Sequence, residues 1–258
     1  MMQWQTLFQK ELLENWRNKK WIWVPLVLMI LTIMDPVSYY FLPEIMESVG
    51  DVPEGMVLEM PAIQPEAALM MSIESLSMYG ALIIVLISMG TIASERQQGI
   101  TEMMLAKPIR FINYVTAKWT SFVLLAIVSL LLSLCISWYY TNLLFGSVSI
   151  TTMFLVFIFY SIWYMFIVTL SIFYNTFCKS AGVVIACTIG TLAVLSGINA
   201  LIGHRFTWFP NQLAHHIGDM LTTSSVSTAL LGTSGVLVLI ILILMTASIQ
   251  ICQRKEMI

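Results

Sequence analysis

Six apolar runs, at residues 21–41, 76–94, 119–141, 151–174, 181–203 and 233–251, constrain this chain more than any other feature, and Asp35 is the only charge inside them. A helix needs about 20 apolar residues to cross the ~30 Å hydrocarbon core of a bilayer. Within that core every backbone polar group must be satisfied internally, which a helix achieves alone. The 258 residues are 59% hydrophobic and 10% charged, against roughly 25% charged in an ordinary soluble domain, so a soluble globule is excluded. The sequence predicts an all-α membrane protein, one domain over 1–258 with six transmembrane helices. The remaining segments are too short to hold a folded catalytic domain.

Charge sets the expected orientation. Eleven of the twelve Lys and Arg residues fall in alternate segments, and only Arg205 falls in the others. By the positive-inside rule both termini are cytoplasmic. Residues 42–74 hold seven carboxylates, four prolines and no Lys or Arg, so 42–75 reads as an acidic external loop and 204–232 as a second external one. Within the latter, the stretch after Pro210 reads as a short helix lying against the interface.

Two segments on the cytoplasmic side carry a pattern. In residues 1–20, Trp4, Leu7, Phe8, Leu12 and Trp16 recur at helical spacing while Lys10, Glu14 and Arg17 take other faces, which predicts an amphipathic elbow helix in the interfacial plane. In the loop 95–110, Gly99 is a hinge, Thr101 to Leu105 can form a short helix, and Pro108 disfavours helix at Lys107. Apolar Met103, Met104 and Leu105 beside Glu95, Arg96 and Glu102 suit docking into a groove on a soluble partner.

The fifth run has two faces. Ala186, Gly190, Ala193, Gly197 and Ala200 form one narrow stripe of small side chains, which lets helices approach closely in a membrane. Thr188, Thr191 and Asn199 lie opposite and are candidate pathway residues; alternatively the threonine hydroxyls bond back to their own helix.

Several chemistries fail on the residues present. No Gly is followed by Lys, so the P-loop is absent and the chain is not its own ATPase. His204, His215, His216 and Asp219 offer metal-ligand types, but adjacent helical residues point about 100° apart and no recognised ligand spacing supports them, so no metal is expected. Gly232-Thr233-Ser234-Gly235 lacks a histidine base after the serine. Ion-coupled transport leaves ionisable groups in the bilayer, and only Asp35, beside Pro36 at the expected outer end of the first span, qualifies even loosely.

Phe8-Gln9-Lys10-Glu11-Leu12 with Arg17-Asn18-Lys19, and Glu95-Arg96-x-x-Gly99 followed by Leu105, Pro108 and Lys118, resemble the corresponding segments of ABC-2 type transporter permeases. The resemblance extends to the six-span layout; Gly99-Ile100-Thr101 departs from the more usual Gly-Thr. It implies a bacterial plasma-membrane permease that pairs with a second permease subunit and docks a cytosolic P-loop ATPase. Glu95, Arg96, Gly99, Thr101, Glu102, Met103, Leu105 and Pro108 would then form the coupling segment. It also implies that ATP and Mg reside on the partner, that this chain binds no cofactor, and that span five contributes to the pathway. An uncharged interior favours an exported substrate that is hydrophobic or amphipathic. A membrane-embedded regulator or immunity protein without transport shares the same composition.

Overall fold

The computed structural model describes residues 2–49, 63–97 and 110–255. Helices α1 (Met2–Arg17) and α2 (Lys20–Val49) are followed by a second span built from α3 (Pro65–Ser75), a π-helical turn (Leu76–Gly80), α4 (Ala81–Ser88) and α5 (Ala93–Gln97). Then come α6 (Phe111–Leu144), α7 (Ile150–Phe177), α8 (Ala181–Ile202), a short α9 (Leu213–Thr223) and α10 (Thr228–Lys255). No strand occurs among the described residues, and six helical stretches are long and apolar enough to cross a membrane. This is an all-α, six-span membrane architecture.

Spans two, three and four form the interior. Of their most apolar windows 61%, 56% and 67% is buried, against 28% for spans one and six and 11% for span five. Helix α7 is central and packs against α10, α6, α4 and α8. Helix α2 lies along α6, and α1 crosses the beginning of α6.

Two span boundaries differ from the sequence reading. The first span does not end at Asp35-Pro36; α2 continues to Val49 with Pro25, Pro36 and Pro43 inside it. Pro36 has no N–H, so it strips the carbonyl of Thr32, four residues back, of its helical partner. Ser72 Oγ donates to that carbonyl at 2.7 Å and itself accepts from Ser137 Oγ at 2.8 Å. Asp35 accepts a hydrogen bond from Ser75 Oγ. The second span likewise starts earlier, at Pro65, so the acidic loop taken as 42–75 is helical at both ends. At the other outer loop, α9 lies where a helix after Pro210 is expected.

The polar stripe that packs helices lies in span three. Ser121, Ser129, Ser133, Ser137 and Thr141 stand at multiples of four residues and are all fully buried. Small hydroxyls at this spacing allow close approach, and most of them bond to carbonyls or neighbours, whereas Thr141 Oγ1 is buried with no partner among the described residues. Asn15 Nδ2 donates to Ser121, Ser129 and Ser133 bond back to Leu125 and Leu130, and Thr32 Oγ1 reaches the Ser133 carbonyl.

At the π-turn a glycine is required. A Cβ on Gly80 would collide with Tyr164 Oη, which lies in the fully buried core. An unobstructed Gly→Ala change inside a helix stabilises by roughly 0.5–1 kcal/mol, whereas overpacking costs about 1–3 kcal/mol. Gly80→Ala should therefore lower the melting temperature, and Tyr164→Phe in the same background should recover part of the loss. A raised melting temperature for Gly80→Ala would show that the turn has room.

Candidate functional site

Span two breaks between Ser88 and Ala93, at the end of the bundle that holds both chain tails, and side chains of neighbouring helices bond several of the backbone groups freed there. Asn175 of α7, fully buried, accepts from the amides of Ile92 and Ala93 through Oδ1 at 3.3 and 3.2 Å. Its Nδ2 donates to the carbonyls of Ser88 and Ser171 at 3.1 and 2.9 Å. Lys20 donates to the Ile87 carbonyl at 3.1 Å while its ammonium stands 4.9 Å from the Phe122 ring centroid. A membrane helix can be interrupted where neighbouring side chains satisfy the freed backbone groups, and here the neighbours are α2 and α7.

Beyond the break, α5 carries Glu95 and Arg96 and leads into residues 98–109. Glu95 does not face solvent. Its carboxylate meets Lys10 Nζ of α1 at 2.7 Å, Lys118 Nζ of α6 at 3.0 Å, and the Tyr114 hydroxyl, which donates at 2.6 Å. Lys118, 2% exposed, also reaches Glu11 at 2.8 Å. The result is a buried node of two lysines and two carboxylates tying three helices to one carboxyl group. A buried charge is tolerated when paired and hydrogen-bonded, and each partner here meets that condition. Burial by itself would depress the Lys10 ammonium, but the hydrogen bond to Glu95 and the charges of Glu11, Glu95 and Glu14 outweigh it and hold it above the ordinary lysine range. Arg96 clamps the other side, donating from both terminal nitrogens to the Thr176 carbonyl near the end of α7 at 3.3 Å.

Glu95 and Arg96 thus hold α5 against the bundle. Gly99, Thr101, Glu102, Met103, Leu105 and Pro108 lie outside the described residues. The elbow helix is present. Glu11 and Asn15 are its fully buried residues, Leu7 packs against the core beside them, and Trp16 is 63% exposed. Polar as well as apolar side chains seat α1 on the bundle. The sequence signal for this arrangement is Glu11 and Asn15 at i and i+4, with Lys118 placed just before the third apolar run.

At the opposite end, a cavity of about 710 Å³ opens between spans two, four and five and α9. Span five lines it with Ile189, Leu192, Ala193 and Ser196, whereas Thr188, Thr191 and Asn199 do not contribute. Both threonine hydroxyls bond back to their own helix, Thr188 to Val184 and Thr191 to Cys187. Thr191 also meets the Tyr174 hydroxyl at 2.6 Å. Asn199 Oδ1 is buried without a hydrogen-bond partner among the described residues.

Ala186, Gly190, Ala193, Gly197 and Ala200 are all exposed, and nothing lies within 4 Å of a Cβ added at Gly190 or Gly197. Among the described residues, no helix packs closely on the stripe at Gly190 or Gly197. His215 and His216 both direct Nδ1 at Asp219 Oδ2, at 3.2 and 3.7 Å, which corrects the expectation that adjacent histidines diverge. His216 is committed through Nε2 to the Thr207 carbonyl at 2.8 Å, fixing α9 to the preceding loop.

The chain is similar to known proteins. Residues 5–249 match the sequence model of a family described as ABC-2 family transporter protein. A protein of Bacillus subtilis (strain 168), described as uncharacterized transmembrane protein YxlG, is 30% identical over 214 residues, covering 82% of this chain and 83% of the relative. The family match runs from the elbow helix into the sixth span and includes both the ionic node and the cavity. The chain belongs to the ABC-2 family of transporter membrane proteins.

Proposed function

We propose that this chain is the permease subunit of an ATP-binding-cassette exporter in a bacterial plasma membrane. Both termini are cytoplasmic, a second permease pairs with it, and a separate P-loop ATPase carries ATP and Mg. The observation that carries the reading is the clamping of α5. The segment leading into residues 98–109 is bound to α1, α6 and α7 by Glu95, Asn175 and Arg96. A force applied to that loop by a soluble partner reaches three helices at once instead of being absorbed by a flexible joint. Spans two, four and five then shift around the cavity at the other end. The apolar walls of that cavity suit a hydrophobic or amphipathic substrate, because ligand sites of roughly 300–1,000 Å³ lined mainly by apolar side chains accept such molecules. The exposed stripe of span five is the face offered to the second permease.

The test is affinity isolation of the tagged full chain from its native membrane in mild detergent, with the stoichiometry of what accompanies it. Recovery of an equimolar P-loop ATPase is the expected result. If the chain is recovered alone under conditions that keep known membrane complexes intact, the exporter reading gives way to that of a regulator without transport.

A further inference from the structure

We propose that the cavity selects a cationic amphiphile, an apolar body bearing a positive charge, with Glu74 as its counter-charge. The inference rests on the permease reading and adds the class of substrate.

Of the residues lining the cavity, only Glu74 and His215 carry ionisable groups of the acid–base kind relevant near neutral pH, and there is no Lys or Arg. His215 is held by Asp219 at 3.2 Å, so any positive charge on it is matched there. Glu74 has no hydrogen bond or ion pair among the described residues. It stands two residues before the π-helical turn, and it also borders two smaller pockets beside the cavity, one of them edged by Asp35 and the other by Asp219. The carboxylate therefore lies where three recesses meet.

Below it the walls change character. Met78, Leu82, Val85, Leu192 and Trp163 are apolar, and Ser77 Oγ is occupied by Tyr160 Oη at 2.8 Å. An aromatic wall attracts a cation through its ring face. An unpaired anionic solute would meet Glu74 with no compensating base in the cavity. The described groups around it have the same sign: Glu66 and Asp219 line one adjoining pocket and Asp35 the other, and clustered carboxylates of this kind concentrate cations. Two sources supply this chemistry, a lipid with an ammonium headgroup or a water-borne cationic drug or peptide.

Equilibrium dialysis of the purified protein in detergent, against labelled tetraphenylphosphonium and tetraphenylborate, separates charge from size because the two ions differ mainly in sign. Dodecyltrimethylammonium as competitor distinguishes the sources. The Met78→Trp variant, in which an exposed side chain is enlarged into the cavity, defines the binding that belongs to it. The phosphonium should bind at least ten-fold tighter than the borate after subtraction of the Met78→Trp background. Glu74→Gln should abolish the difference. Displacement of the bound phosphonium by dodecyltrimethylammonium points to a lipid, and a bound phosphonium that the long-chain ammonium does not displace points to a water-borne cation. Equal binding of both ions, preference for the borate, or an unchanged preference in Glu74→Gln overturns the proposal. Each of those results leaves recovery of the ATPase untouched, so failure here is distinct from failure of the permease reading.

Discussion

Lys118→Met should lower the melting temperature of the purified protein by on the order of 10 °C and uncouple ATP hydrolysis from transport. Lys118 is 2% exposed and holds Glu11 and Glu95 at 2.8 and 3.0 Å. Removing it leaves two buried carboxylates sharing the half-exposed Lys10. Removing one partner of a buried ion pair costs about 3–5 kcal/mol, because the charges left behind remain desolvated. In a chain of this size each kcal/mol shifts the transition by roughly 2–4 °C. The methionine keeps the length and apolar stem of lysine, so packing loss contributes little. Adding Glu95→Gln to Lys118→Met should recover part of the stability, since one uncompensated carboxylate is then gone. It should not recover coupling, because α5 still lacks its ionic tie to α6. Thermal unfolding of the two single variants and the double variant measures the first effect. The ratio of substrate-stimulated to basal ATP hydrolysis in the reconstituted complex measures the second. A Lys118→Met protein with unchanged melting and unchanged stimulation would show that the node neither stabilises the bundle nor transmits force.

The same node shows why the sequence discloses the spans better than the site. A span is a local property: about 20 apolar residues in a row have one solution in lipid, and all six runs lie within observed helices or at their edges. Its ends are not local. Pro36 looks like a terminator in isolation, yet α2 passes through it, and the Thr32 carbonyl it frees is served by Ser72, forty residues beyond that threonine. The pairing of Lys118 with Glu11 across 107 positions is equally invisible to periodicity, although both residues stand out as charges at the edge of apolar segments. Glu95 was legible as a special residue but not in its role. A carboxylate in a loop reads as a surface contact until the helix it faces is known. The four-residue spacing of serines in span three was available in the sequence, and it marks the face that is truly packed. The stripe in span five has the same helical logic with glycine and alanine, but it is exposed in the single chain, and the sequence does not say which helix, if any, covers it.

That ambiguity has a measurable resolution. On the proposed pairing of two permeases through this stripe, Gly190→Trp combined with Gly197→Trp should convert the dimer to single subunits while leaving each subunit folded. Both glycines are exposed and an added Cβ at either finds nothing within 4 Å, so a larger side chain enters open space in the single chain. Within one subunit the change removes the entropic cost of two mid-helix glycines, roughly 0.5–1 kcal/mol each, and the melting temperature of the isolated chain should hold or rise slightly. Between two subunits the effect has the opposite sign. Helix association in a membrane depends on close backbone approach across small residues, and two indoles on that face prevent it. Losing about 3 kcal/mol of association weakens the dimer by more than a hundred-fold. Light scattering of the detergent-solubilised protein reads the association, and thermal unfolding of the same sample reads the fold. Loss of the dimer with melting preserved assigns the stripe to a second permease. A dimer that survives while the subunit melts earlier places the stripe inside the subunit, in a conformation other than the one described. Span five would then move between packed and unpacked positions during transport, and the wall it gives the cavity would move with it.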